Sequence, residues 1–185
     1  MKSCWIALGL FCAVVDAALA QSGGSLRLMS SEWHDGGTVP LRNVLNESGC
    51  NGANVSPEFH WSGAPSGTKS FALTIFDPDA PGGGGFWHWV VVNIPATAYG
   101  LPAGAGDKQS SRLPAGSSQC RNDYGEIGYG GPCPPPGTIH RYVAKVYALN
   151  VNRLSIDPNS SSRKVAKELE AHTIGSAELT TKFGD

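Results

Sequence analysis

The chain has 185 residues, 14 of them basic and 15 acidic, for a formal charge of -1. That length suits one domain, and the absence of any extended basic run excludes a nucleic-acid footprint. Charged residues make up only 16% of the chain, while 24 Gly and 13 Pro predict many turns and few long helices.

At the start, Lys2 precedes an apolar stretch over residues 5–15, and Ala18-Leu19-Ala20 places small residues where a peptidase would cut. This is the pattern of a secretory signal peptide removed before Gln21. It divides the chain into a leader (1–20) and one domain (21–185). The apolar run is about half of the ~20 residues a spanning helix needs. Cys12 follows Leu10-Phe11, where a lipoprotein site wants small residues. No later stretch is apolar for long enough to cross a bilayer. The expected destination is the periplasm in a Gram-negative source, or secretion otherwise. Export changes the cysteines too. Cys50, Cys120 and Cys133 stay with the domain, so an oxidising compartment predicts one bridge and one thiol. Three pairings are open. Cys50 with Cys133 is favoured, because both sit in Gly-rich loops near the motifs below.

Residues 25–29 alternate weakly, as an edge strand does. Asn46, Asn54 and Asn159 open glycosylation sequons, which matter only in a eukaryotic secretory route. Residues 70–76 form a strong strand candidate, stopped by Asp77-Pro78-Asp79-Ala80-Pro81 and four glycines. Residues 87–94 form a second, stopped by Pro95, and residues 140–149 a third; all are rich in β-branched and aromatic side chains. Residues 163–173 predict one helix, with Val165, Leu169 and His172 at helical spacing and Gly175 as its stop. Residues 177–183 predict a last strand. The fold class is mainly β: a sandwich of two sheets with a few short helices.

Asp77, His88 and His140 all fall at strand ends or starts, where loops can gather them at one rim. In a strand His140 and Tyr142 share a face and Arg141 takes the other. The same periodicity predicts His88 on a face with Val90 and Val92, backed by Trp87 and Trp89. A histidine in an apolar strand is more often a satisfied buried residue than a binding group. Here, though, each lies near a Pro/Gly-rich loop. The segment Gly130-Gly131-Pro132-Cys133-Pro134-Pro135-Pro136-Gly137 is rigid and short of backbone donors. That suits a surface connector or a pocket wall. Asp77 ends a buried strand, where a carboxylate needs a partner.

Asp77-Pro78-Asp79-Ala80-Pro81, then Trp87-His88-Trp89-Val90-Val91-Val92-Asn93-Ile94, then Gly131-Pro132-Cys133-Pro134-Pro135-Pro136-Gly137-Thr138-Ile139-His140-Arg141-Tyr142 follow in order. These blocks resemble the signatures of the phosphatidylethanolamine-binding (Raf kinase inhibitor) family, and Ser56-Pro57-Glu58-Phe59-His60-Trp61 and Thr68-Lys69-Ser70-Phe71 resemble its bacterial branch. The likeness spans residues 36–183. It implies a β-sandwich with a small pocket for phosphate-like or carboxylate anions, a phospholipid headgroup among them, lined by Asp77, His88, Gly131, Pro132, His140 and Tyr142. Asp79 and Arg141 are expected one layer behind. The four-glycine loop, Cys133 within the proline block and the leader depart from the animal members, and an exported chain would not meet a cytosolic kinase.

The expected mechanism is electrostatic. A carboxylate near an imidazole favours the imidazolium, so a protonated His88 or His140 would donate to an anion oxygen, with Tyr142 as a neutral donor. Affinity should then rise from about pH 8 to about pH 6. Three other readings compete. An Asp/His hydrolase lacks a Gly-x-Ser-x-Gly elbow. A zinc or iron site has two His and one Asp but no H-x-x-x-H or H-E-x-x-H spacing, and no cofactor motif is present. A protein-interaction or inhibitor module would use its surface against an envelope or host partner.

Overall fold

The computed structural model describes residues 25–109 and 111–185; the leader lies outside the described residues. Among the described residues, eight strands form two antiparallel sheets. The smaller is ordered β1 (Arg27–Met29), β2 (Phe59–Ser62), β5 (Gly100–Leu101), with β1 at an edge. The larger is ordered β6 (Ser118–Gln119), β4 (Phe86–Pro95), β3 (Ser70–Asp77), β7 (Ile139–Leu149), β8 (Thr173–Gly184). One α-helix, α1 (Ser162–His172), and one 3-10 turn at Leu41–Asn43 complete the described elements. The mainly β sandwich with a helix near the C-terminus is the architecture the sequence predicts.

Three layers explain the sequence pattern. Leu28, Phe59 and Trp61 of the small sheet meet Phe71, Leu73, Ile75, Trp89, Val91 and Tyr142 of the large one. The reverse face of the large sheet buries Ala72, Val90 and Val92 under Leu154, Val165 and Leu169. A strand covered on both faces loses its alternation, which is why β3 is a continuous apolar run.

Two boundaries differ from expectation. The helix stops at His172 and β8 begins at once on Thr173, so Gly175 lies inside the strand rather than ending the helix. β-branched Thr173 and Ile174 favour the extended chain, and Gly175 answers to packing, since a Cβ there would sit 2.6 Å from Pro65. Val165 and Leu169 are buried as predicted, whereas His172 remains part-exposed and contacts Asn150 Oδ1 at 3.2 Å.

A bulge corrects the face assignment around His88. Ile75 pairs with Trp89, yet the next residue, Phe76, pairs with Trp87. His88 is therefore the extra residue, and one extra residue reverses the alternation. Trp87 packs toward Val90 and Val92 beneath the helix, while Trp89 joins the inter-sheet core. His88 leaves the Val90/Val92 face and turns toward Tyr142.

Candidate functional site

β3 lies between β4 and β7, so its C-terminal residue, Asp77, emerges between the strand that carries His88 and the strand whose second residue is His140. His140 Nδ1 lies 2.7 Å from Asp77 Oδ2. Both side chains are buried, at 7% and 4% exposure. This is the partner that a carboxylate ending a buried strand requires. A carboxylate accepts, so Nδ1 holds the shared proton and Nε2 is the free nitrogen of the ring. The other carboxylate oxygen, Oδ1, accepts from Asp79 N at 2.8 Å, closing the turn that follows β3.

His88 has a different partner. Its Nδ1 donates to Gly130 O at 2.7 Å, and Gly130 N donates back to His88 O at 2.9 Å. These two bonds stitch the Gly/Pro segment onto β4. Around the imidazole stand Phe86, Tyr124 and Tyr142, with ring centroids 5.0, 5.6 and 5.2 Å away. Burial among these rings pushes the His88 pKa down to about 4, against the opposing pull of the Gly130 carbonyl and Asp77. His88 is thus neutral across pH 8 to 6, which corrects the expectation that its protonation would drive anion binding in that range.

Burial, the largest cause, and then the negative charge of Asp77 raise the Tyr124 hydroxyl to about 12. The same two influences push Tyr142 upward. Both phenols stay protonated, and Tyr124 Oη donates to Gly131 O at 3.0 Å.

A cavity of about 220 Å³ is lined by Asp77, Ala80, Pro81, Phe86, His88, Tyr124, Cys133, Pro134, Pro135, His140 and Tyr142. Four of the expected residues, Asp77, His88, His140 and Tyr142, come together there. Gly131 and Pro132 are buried with their backbone groups engaged: Gly131 N donates to Asn54 Oδ1 at 2.7 Å, and Pro132 O accepts from Leu45 N at 3.1 Å. The wall itself passes to Cys133, Pro134 and Pro135. A Cβ on Gly131 would fall 2.3 Å from Asn43 O, so only glycine permits this approach of two backbones. Across the wall a larger hollow of about 390 Å³ shares Cys133 and Pro134 but is lined by none of Asp77, His88 and His140.

Asp79 and Arg141 lock the turn to β7 from outside. Arg141 donates from Nε at 2.8 Å and from Nη2 at 2.6 Å, and its backbone N adds a bond at 2.9 Å. This bidentate contact, the foremost cause, holds the Asp79 carboxyl down at about 2. Cys50 and Cys133 are joined as a disulfide, and Cys120 is a buried thiol that burial raises to about 11. The bridge ties the proline wall to the loop after the 3-10 turn. Among the described residues no three His, Cys, Asp or Glu side chains cluster as a metal site, and no helix is long and apolar enough to cross a membrane.

Phe86 and Tyr124 escaped the sequence reading. Phe86 adjoins the His88 motif, where an aromatic residue after a glycine loop was an available signal. Tyr124 lies in no motif and reaches the site through tertiary packing alone.

The chain matches the family model described as phosphatidylethanolamine-binding protein over residues 29–184. It is 47% identical over 160 residues to the UPF0098 protein YbcL of Escherichia coli (strain K12), covering 86% of this chain and 87% of that one. The crystal structure of E. coli YbcL, described as a new member of the mammalian PEBP family, superimposes with a TM-score of 0.85 at 46% identity, over 87% of this chain and 99% of the other. UPF0098 protein YbhB of the same strain is 43% identical over 158 residues, covering 85% and 99% of the two chains. The putative lipoprotein LppC of Mycobacterium tuberculosis (strain ATCC 25618 / H37Rv) is 34% identical over 171 residues, covering 91% and 78%.

Proposed function

We propose that this chain, which belongs to the phosphatidylethanolamine-binding protein family, is an exported binding protein for small anions: phosphate, a phospholipid headgroup or a carboxylate. Asp77, His88, His140 and Tyr142 receive the ligand, and Gly131 and Pro132 hold the wall behind it. The observation that carries this reading is the buried Asp77–His140 contact of 2.7 Å on the rim of a cavity of about 220 Å³. Drug-sized ligands occupy roughly 300–1,000 Å³, so a cavity of this size suits a headgroup or a free anion. Asp77 fixes the ring so that its Nε2 serves the cavity, and from there His140 donates to an anion oxygen when both nitrogens carry protons. Tyr142 supplies a neutral donor. Pre-set proline and aromatic walls leave little backbone to order on binding.

Export is supported by the leader-like residues 1–20, by the Cys50–Cys133 bridge and by likeness to a putative lipoprotein. Calorimetric titration with inorganic phosphate and with acetate tests the site. Binding that weakens at least about tenfold in His140→Ala is expected, given the ~1.5–3 kcal/mol typical of a hydrogen bond to a charged group. Equal affinity in the variant would refute the assignment. N-terminal sequencing of the protein from a fractionated host, expected to begin at Gln21, tests export.

A further inference from the structure

We propose that the Cys50–Cys133 bridge is a redox latch: it holds the proline wall of the rim cavity shut, and a dithiol reductant releases it.

The two ends of the bridge are anchored unequally. Cys50 sits in a loop closed by its own backbone. Cys50 N donates to Glu47 O at 2.9 Å, Gly52 N to Leu45 O at 2.9 Å and Asn54 N to Val44 O at 2.8 Å. The Cys133 side has fewer ties. Gly131 N and Pro132 O are bonded to Asn54 Oδ1 and Leu45 N, but Pro134, Pro135 and Pro136 have no N–H to donate. Pro135 O accepts from Thr138, within the turn that follows. The next bond to another segment is Gly137 N to Oδ1 of the exposed Asp185, at 3.2 Å. Among the described residues, the polar or covalent tie of residues 133–136 to a distant segment is therefore Cys133 Sγ, bonded to Cys50 and 3.8 Å from Glu47 O and Ser48 O.

The latch sits on a partition. Cys133 and Pro134 line both the cavity of about 220 Å³ and the hollow of about 390 Å³ beside it. Proline fixes φ, so residues 134–136 move as a stiff unit, and Gly137, at φ 77°, gives that unit a pivot. With the bridge cut, the wall swings, the rim cavity opens into the hollow, and the buried His140 ring meets solvent. Both cysteines are part-exposed and line the hollow, which is the path by which a reductant reaches them.

The step is thiol–disulfide exchange. A thiolate of the reductant attacks one bridge sulfur, the S–S bond breaks, and the other sulfur leaves as a thiolate that takes a proton. The second thiol of the reductant then displaces the first cysteine from the mixed disulfide. Two electrons and two protons pass to Cys50 and Cys133, and the reductant departs as a disulfide. An oxidant of the disulfide class reverses it.

The test follows His140 rather than a ligand, so its outcome is independent of the anion-site reading. The protein, either bridged or reduced with dithiothreitol and then freed of it under argon, is treated with diethyl pyrocarbonate at neutral pH. Modified histidines are mapped by mass spectrometry. Reaction of a buried ring tracks its open population, so the His140 rate should rise at least about tenfold on reduction. Part-exposed His172, on α1, should keep its rate. A Cys50→Ala, Cys133→Ala variant should react at the fast rate with or without dithiothreitol; the reduced wild type decides even if that variant fails to fold. Iodoacetamide separates opening from unfolding, because Cys120 lies buried with Leu154 and Val165. An unchanged His140 rate on reduction overturns the latch. A faster His140 accompanied by labelling of Cys120 overturns it as well, since the bridge then staples the whole fold and not the wall.

Discussion

His88 ties the pH dependence of folding to the geometry of the site. Its pKa falls from 6.5 in the open chain to about 4 in the folded protein, chiefly through burial. The unfolded state therefore binds a proton first as pH drops, and folding loses free energy from about pH 6.5 downward until the loss levels off below about pH 4. From pH 7 to pH 5 the linkage amounts to about 2 kcal/mol, and below pH 4 to about 3 kcal/mol. The measurement is a double difference against His88→Asn, whose amide can still donate toward Gly130 O, so that every other group cancels. Urea denaturation at pH 7 and pH 5 serves as the assay. At an m-value of roughly 2 kcal/mol per molar, the wild type should lose about 1 M more midpoint than the variant. Asp79, held at about 2 by Arg141, withdraws its own contribution only as pH falls from 3.8 through about 2, so the two effects separate. Parallel losses in wild type and variant would show that the His88 ring accepts a second proton readily in the folded state, and the account of its burial would be wrong.

Other consequences follow from the same geometry. Asp77→Ala leaves the buried His140 ring without its acceptor and should cost about 3 kcal/mol, read as a lowered thermal midpoint together with loss of phosphate binding. Gly131→Ala drives a methyl to 2.3 Å from Asn43 O, a backbone atom that cannot swing away; destabilisation of about 2 kcal/mol or more is expected, and a midpoint within 0.5 kcal/mol of wild type (about the size of a neutral surface change) would contradict the packing. Reducing Cys50–Cys133, which spans 83 residues, should cost about 4.5 kcal/mol by the chain-entropy argument. Cys120 should resist alkylation until denaturant is added, because it is buried and its thiol is raised to about 11; mass spectrometry distinguishes it from the bridged pair.

Much of the molecule was legible in the order of its residues. Runs rich in β-branched and aromatic residues, stopped at Asp77 and Pro95, marked two strands, because local composition must match burial whatever the partner strand is; that both of their faces are covered emerged only in the fold. Period-2 spacing put His140 and Tyr142 on one face, and both are buried beside the cavity while Arg141 is exposed. The ordered Asp-Pro, His and proline blocks pointed to the family. What alternation misjudged was His88. The bulge there depends on how Ile75 and Phe76 register against Trp89 and Trp87, which is a property of two strands and not of one. Tertiary packing alone brought Asp77 to His140 across 63 residues, placed Tyr124 on the wall, and enclosed His88 in three rings that keep it neutral. Sequence determined which groups could meet. The fold decided their protonation, because the energy of a charge depends on what surrounds it, and those surroundings come from distant parts of the chain.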